Sequence, residues 1–196
     1  RAVEGALQAD ERIGAVVLVH PSNPCGALVW CEDARAVRVA AAKRGAALIV
    51  DEVFIDYPQT APDPSRQPSF ACFGDEGGAL CFTLSGLSKV ALAPQLKLAW
   101  VAVSGPEVEV REALERLELV ADTYLSVTTA VQLAAAPILD AVDARQRRLR
   151  ERLALNLASC DRAIAACGPE APVRRLAADA GWYALVEIPR TRGDDA

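Results

Sequence analysis

"IGAVVLVHPSNPCGALVWCEDARAVRVAAAKRGAALIVDE", residues 13 to 52, sets two short apolar runs on either side of a charged, alanine-rich stretch. The runs "IGAVVLVH" (13–20) and "AALIVDE" (46–52) lack polar alternation, which is how a strand covered on both faces reads. Between them, "EDARAVRVAAAKRG" (32–45) carries acids in its first turn, Lys43 and Arg44 in its last, and Gly45 behind: a helix with both ends marked. Strand, helix, strand in this order predicts an α/β layer architecture with a right-handed crossover. Two more apolar runs, "ALCFTLS" (79–85) and "LKLAWVAVS" (96–104), extend the sheet, while the proline-rich "YPQTAPDPSRQPSF" (57–70) reads as a surface loop.

Beyond Pro106 the pattern turns helical. "PEVEVREALERLELVADTY" (106–124) opens on proline and acids, "TTAVQLAAAPILD" (128–140) is apolar and interrupted by Pro137, and residues 141–168 keep leucine and alanine at helical spacing up to Gly168. "GWYALVEIP" (181–189) reads as a new strand. The expected fold class is α/β, a mostly parallel sheet with flanking helices, followed by a long helix and the start of a smaller α+β domain. The expected division is 1–140 for the C-terminal part of a large domain, 141–167 for an interdomain helix, and 168–196 for the truncated start of a small one.

The 196 residues are about half apolar with a formal net charge of −5, enough to bury a sizeable core. Mild acidity speaks against a nucleic-acid or anionic-membrane surface, and "RQRRLRER" (145–152) is explained as the solvated face of a long helix. No apolar run approaches the roughly 20 residues needed to span a bilayer, and "RAVEGALQADER" lacks the apolar core of a signal peptide, so a cytoplasmic setting is expected. There is no methionine, and the chain opens inside a polar helix-like stretch, which reads as a fragment. Six cysteines without CxxC pairs and the single histidine, His20, make no zinc site. Cys160 and Cys167 fall on one helix face and are expected in the core.

In open α/β sheets, ligands collect beyond the carboxyl ends of the strands. There the first run delivers "HPSNPCG" (20–26), the second Asp51 and the third, through "SGLS" (85–88), Lys89. Each alone has an ordinary reading: Asn23 as turn chemistry between prolines, Asp51 as a helix cap, Lys89 as an exposed side chain. Their joint arrival at matched strand ends predicts an amide, an acid and an amine on one rim.

This combination resembles the class I and II aminotransferases, fold-type I enzymes that use pyridoxal 5'-phosphate (PLP). The family's "NPxG" turn corresponds to Asn23-Pro24-Cys25-Gly26, its "DE" strand end to "VDEVF" (50–54), and its lysine segment to Ser88-Lys89. The resemblance runs through essentially the whole chain, including "ADTYLSV" (121–127) and "GWYALVEIP", and covers about half of a full family member.

The resemblance implies that Lys89 forms the imine with the cofactor and later moves the substrate's α-proton. It implies that Asp51 keeps the pyridine nitrogen protonated, and that Asn23 donates to the phenolic oxygen. Ser85, Ser88 and Lys97 are the implied phosphate ligands. Lys97 stands where the family usually has arginine, and Gly86 where many relatives have serine. Phe54 replaces a tyrosine that donates to the phenolic oxygen, so a raised imine pKa is expected unless Tyr57 turns back to compensate.

The implied reaction moves an amino group from an amino acid to a 2-oxo acid, with decarboxylation or carbon–sulfur β-elimination as related chemistry. The implied assembly is a homodimer. The substrate-carboxylate arginine is expected beyond Ala196, and the phosphate loop before Arg1. A different reading is an aminotransferase-like effector domain of a transcription regulator, discriminated by an upstream basic winged-helix segment. A third is an α/β domain in which Lys89 forms no imine. The chain by itself is expected to be inactive, with an exposed sheet edge and poor solubility.

Overall fold

The computed structural model describes residues 2–72 and 78–189. Four strands form the main sheet: β1 (Ala15–Val19), β2 (Ala47–Asp51), β3 (Cys81–Gly86) and β4 (Ala99–Ser104), in the spatial order β1-β2-β3-β4. The first three are parallel, with Val19 opposite Asp51 and Asp51 opposite Leu84; β4 runs antiparallel to β3. This is the expected mostly parallel sheet with flanking helices.

Helix α1 (Ala2–Ala9) packs on α2 (Cys31–Arg44), which makes the β1-to-β2 crossover. Glu32 and Asp33 lie at the N-terminus of α2 and Lys43 and Arg44 at its C-terminus, each charge complementing the backbone partial charge there. Gly45 ends the helix at φ 66°, a left-handed conformation that glycine adopts without a Cβ penalty. The core between this layer and the sheet holds Leu7, Ala34, Ala41, Leu48, Val50, Phe70 and Cys81. Small alanines on α2 bring the helix close to the β2 leucine and valine, both fully buried.

The expectation that the first strand is covered on both faces is corrected. β1 alternates exposed and half-covered residues, with Val17 67 % and Val19 41 % exposed, so one face lies open among the described residues.

Past β3, the four-residue helix α3 (Leu87–Val90) and a 3-10 turn at Pro94–Leu96 fold the chain back into β4. Leu87, Ala91 and Ala93 anchor this turn in a second apolar cluster against Val131, Ile138 and Val142. Helices α4 (Glu107–Asp122), α5 (Thr129–Asp140, with Pro137 inside) and α6 (Val142–Ala166) follow. On α6, Arg145, Arg147, Arg148 and Arg152 are exposed, whereas Arg150 reaches the Asp56 carbonyl at 2.9 Å. Cys167 lies exposed just past the helix rather than in the core, because the chain turns away at Gly168.

The strand expected at 181–189 shrinks to β6 (Val186–Glu187), paired with β5 (Arg174–Arg175). Residues 181–183 are drawn off instead: Gly181 N–H donates to the Tyr57 carbonyl at 2.8 Å, and the Gln59 amide donates to the carbonyls of Gly181 and Tyr183. Of the region 168–196, residues 190–196 lie outside the described residues.

Candidate active site

Because Val19, Asp51 and Leu84 are in register, β1 and β2 end level with one another, and β3 runs two residues further, to Gly86. The Asn23 turn, Asp51 and the Lys89 helix all leave from that one end of the sheet.

The first turn is closed by its own backbone. Gly26 N–H donates to the Ser22 carbonyl at 2.6 Å, Ser22 N–H to the Ala27 carbonyl at 2.9 Å, and Ala27 N–H to Ser22 Oγ at 3.0 Å. Asn23 is thereby held at an exposed tip. Behind it His20 is fully buried: Nδ1 accepts from Val29 N–H at 3.3 Å, so Nε2 carries the proton and donates to the Gln67 carbonyl at 2.8 Å. Burial holds the His20 pKa below its usual range.

Asp51 and Glu52 are sequence neighbours with different fates. Asp51 is half-buried and accepts one hydrogen bond, from Val53 N–H to Oδ1 at 3.1 Å. Glu52 is buried and turned to structure, accepting from Phe70 N–H at 2.6 Å and Ser69 Oγ–H at 2.7 Å, with burial raising its pKa. It pins the end of the proline-rich loop.

Lys89 sits on α3, whose first residue is fixed by Leu87 N–H to the Leu98 carbonyl at 3.0 Å. The Lys89 carbonyl accepts the hydroxyl of Tyr57, a side chain only 1 % exposed whose pKa burial pushes up to about 12. Tyr57 thus holds the lysine's main chain and does not supply the donor missing at Phe54. The Lys89 ammonium stands 5.6 Å from the centre of the Phe54 ring and 5.3 Å from that of Trp182, within range of a cation–π attraction. Trp182 meets Phe54 and Tyr57 edge to face, with ring centres 5.2 and 5.1 Å apart.

Ser85 and Ser88 are half-buried on either side of the strand-to-helix junction. Lys97 is exposed, at φ 53°, one residue before the carbonyl that holds Leu87. Glycine at position 86 also has a reason: a Cβ there would lie 2.8 Å from the Leu98 carbonyl oxygen. A serine at that position would collide with the chain that brings Lys97 back. Among the described residues no hydrogen bond or ion pair joins the side chains of Asn23, Asp51, Ser85, Ser88, Lys89 and Lys97 to one another. They border the same sheet end as separate donors and acceptors.

Sequence reasoning missed Trp182 and the segment that brings it in. Residues 178–183 run as a strap between the Asn23 turn and the proline-rich loop. Asp179 N–H and Ala180 N–H both donate to the Gly26 carbonyl at 2.9 Å, and Gln59 N–H donates to the Asp179 carbonyl at 2.8 Å. Asp179 Oδ2 accepts from Leu28 N–H at 2.9 Å and pairs with Arg66 at 3.3 Å. Arg66 in turn donates to the Leu28 carbonyl at 2.8 Å and stacks 3.6 Å over the Trp30 ring. The available signal was Gly181 before two aromatic residues, which suits a turning backbone better than a strand interior.

A family model described as "Aminotransferase class I and II" matches residues 1–192. An alanine aminotransferase of Mycobacterium tuberculosis is 30 % identical over 115 residues, covering 59 % of this chain and 26 % of that protein. The S-alkyl-thiohydroximate lyase SUR1 of Arabidopsis thaliana is 31 % identical over 137 residues, 69 % of this chain and 29 % of that protein. Among solved structures, the PLP-bound C–S lyase from Staphylococcus hominis superimposes with a TM-score of 0.72 at 14 % identity, over 94 % of this chain and 44 % of that one. The chain therefore spans under a third of these two curated relatives and less than half of the solved one.

Proposed function

This chain belongs to the class I and II aminotransferases, and on that premise we propose that its protein moves an amino group from an amino acid to a 2-oxo acid, using PLP held covalently on Lys89. The observation that carries this reading is the parallel register of β1, β2 and β3, which brings an amide, a carboxylate and an amine to one end of the sheet.

The residues present fit the cofactor. Asp51 has one carboxylate oxygen committed to Val53 N–H, leaving the other to accept a hydrogen bond from a protonated pyridine nitrogen. Asn23 offers an amide donor to the phenolic oxygen. Ser85 and Ser88 offer hydroxyls, and Lys97 a positive charge, to the phosphate. PLP supplies an electron-accepting ring that makes the substrate's α-proton removable.

Lys89 Nζ accepts that proton from the α-carbon, and the Tyr57 hydroxyl fixes the lysine backbone while it does so. Phe54 and Trp182 exclude water from one flank of the amine. A point charge at Lys97 grips phosphate less directionally than the forked guanidinium usual in the family.

Carbon–sulfur β-elimination is the second reading, favoured by the likeness to a lyase at 31 % identity. The full-length protein incubated with PLP, reduced with borohydride and digested should carry the cofactor mass on Lys89. A 2-oxo acid-dependent loss of the amino donor then marks transamination, and release of thiol and ammonia from an S-substituted cysteine marks elimination. Absence of any adduct at Lys89 removes both readings.

The same reading extends to the parent protein as a cytoplasmic homodimer, divided into a large domain through residue 140, a connecting helix to 167 and a small domain beyond. The support is the family membership and the exposed apolar side chains of α4 and α5, Leu119, Val120 and Leu133.

A further inference from the structure

The Arg66–Asp179 pair lies outside the group of cofactor ligands, yet it joins more segments than any of them. Its carboxylate holds Leu28 N–H, its guanidinium holds the Leu28 carbonyl and stacks on Trp30, and both side chains are about four-fifths buried. The strap on which Asp179 lies is bonded on one side to Gly26 of the Asn23 turn and on the other to Gln59. Three residues further on, the strap delivers the Trp182 ring to 5.3 Å from the Lys89 ammonium.

A largely buried ion pair fixes orientation more strongly than a single neutral hydrogen bond, because losing either partner leaves a charge poorly hydrated. The indole has no such anchor of its own. No hydrogen-bond partner of Trp182 Nε1 is found among the described residues, and the ring is held by edge-to-face contacts with Phe54 and Tyr57. Its placement beside the lysine therefore depends on where the strap is tied down.

We propose that Arg66 and Asp179 are positioning residues that clamp the 178–183 strap so that the Trp182 ring covers one flank of the Lys89 amine. The significance of the clamp rests on the reading of Lys89 as the reacting amine, but its geometry does not. Releasing it lets the indole swing away, uncovers the amine and loosens the Asn23 turn at the same time.

The test uses the full-length protein without PLP, so that it is independent of cofactor chemistry. Brief labelling with a small amine-reactive anhydride, read by mass spectrometry as the ratio of Lys89 to Lys43 modification, reports the cover on Lys89 inside one folded molecule. Asp179→Asn, Arg66→Met and Trp182→Ala should each raise that ratio by about threefold or more, with Arg66→Lys restoring much of the protection. Asp179→Asn combined with Trp182→Ala should do no more than Trp182→Ala alone, since the carboxylate acts through the ring.

A ratio unchanged in Asp179→Asn, or effects of the two substitutions that multiply, overturns the clamp. A structural role alone lowers thermal stability without changing the ratio. Failure to find a PLP adduct on Lys89 sinks the enzymatic reading and leaves the labelling result to decide the clamp separately.

Discussion

From sequence, Tyr57 could replace the tyrosine missing at position 54 only if the backbone turned back. It is committed instead to the carbonyl of the residue it would serve, Lys89. Tyr57→Phe leaves the Lys89 carbonyl only the long 3.4 Å bond from Leu92 N–H, and should cost about 1 kcal/mol of stability. It should also slow turnover, because the lysine turn loses its tether. Chemical denaturation of the full-length variant checks the first part, and an unchanged midpoint would contradict the assignment.

His20 gives a pH dependence of defined sign. Its folded pKa is depressed below the ordinary 6.5 by burial, so the unfolded chain takes up the proton first as pH falls. The stability tied to neutral His20 is whole above about pH 6.5 and is lost on acidification through the folded value. Glu52, with its pKa raised, works the other way: its contribution is whole below its unfolded pKa and shrinks as pH rises through the folded one. Comparing wild type with His20→Gln separates the two. The wild type should lose more stability than the variant between about pH 7.5 and 5.5. Equal losses would show that His20 does not titrate between the folded and unfolded states.

Among the elements, the strap is the one whose docking is least forgiving. Gly26 has φ 71°, and a Cβ there would stand 2.4 Å from the Ala180 carbonyl oxygen and 2.7 Å from the Ala178 Cβ. Gly26→Ala therefore faces both a strained backbone and a steric clash, and should destabilise the protein by at least about 1–2 kcal/mol. The expected signature is greater protease cutting in residues 178–183, with α2 and the sheet still protected. A variant as resistant as wild type would remove the need for close approach.

The contrast shows what the sequence disclosed. The four strands were legible as short apolar runs, α2 from the charges and glycine that mark its ends, and α4 to α6 from proline, acids and apolar residues at helical spacing. The shared direction of β1 to β3 followed from the same runs, and with it the common border for Asn23, Asp51 and Lys89. The strap was not legible. "GWYALVEIP" has a strand's composition, but the Tyr57 carbonyl and the side chain of Gln59 outcompete a sheet partner for the polar atoms at its start. Nor does any local pattern say that Arg66 meets Asp179, since the pair is separated by 113 residues.

At the scale of the whole molecule, the sheet's two outer strands and much of its helical surface lie open among the described residues. Val17 and Val19 on β1, Trp100 and Val101 on β4, and Leu119, Leu125 and Leu133 beyond are all exposed. Unpaired strand edges beside apolar patches favour self-association. Residues 1–196 produced alone should aggregate at micromolar concentration, and the full-length protein should not. A monodisperse preparation of the isolated chain, seen by light scattering, would refute this.

The strap's partners lie far upstream: Gly181 meets Gln59 across 122 residues, and Asp179 meets Leu28 across 151. A nascent chain leaving the ribosome completes its sheet, and the turn bearing Lys89, well before Trp182 is synthesised. Translation that stalls within α5 would release a polypeptide whose Lys89 amine has no Trp182 indole beside it, open to whatever aldehydes the cell contains.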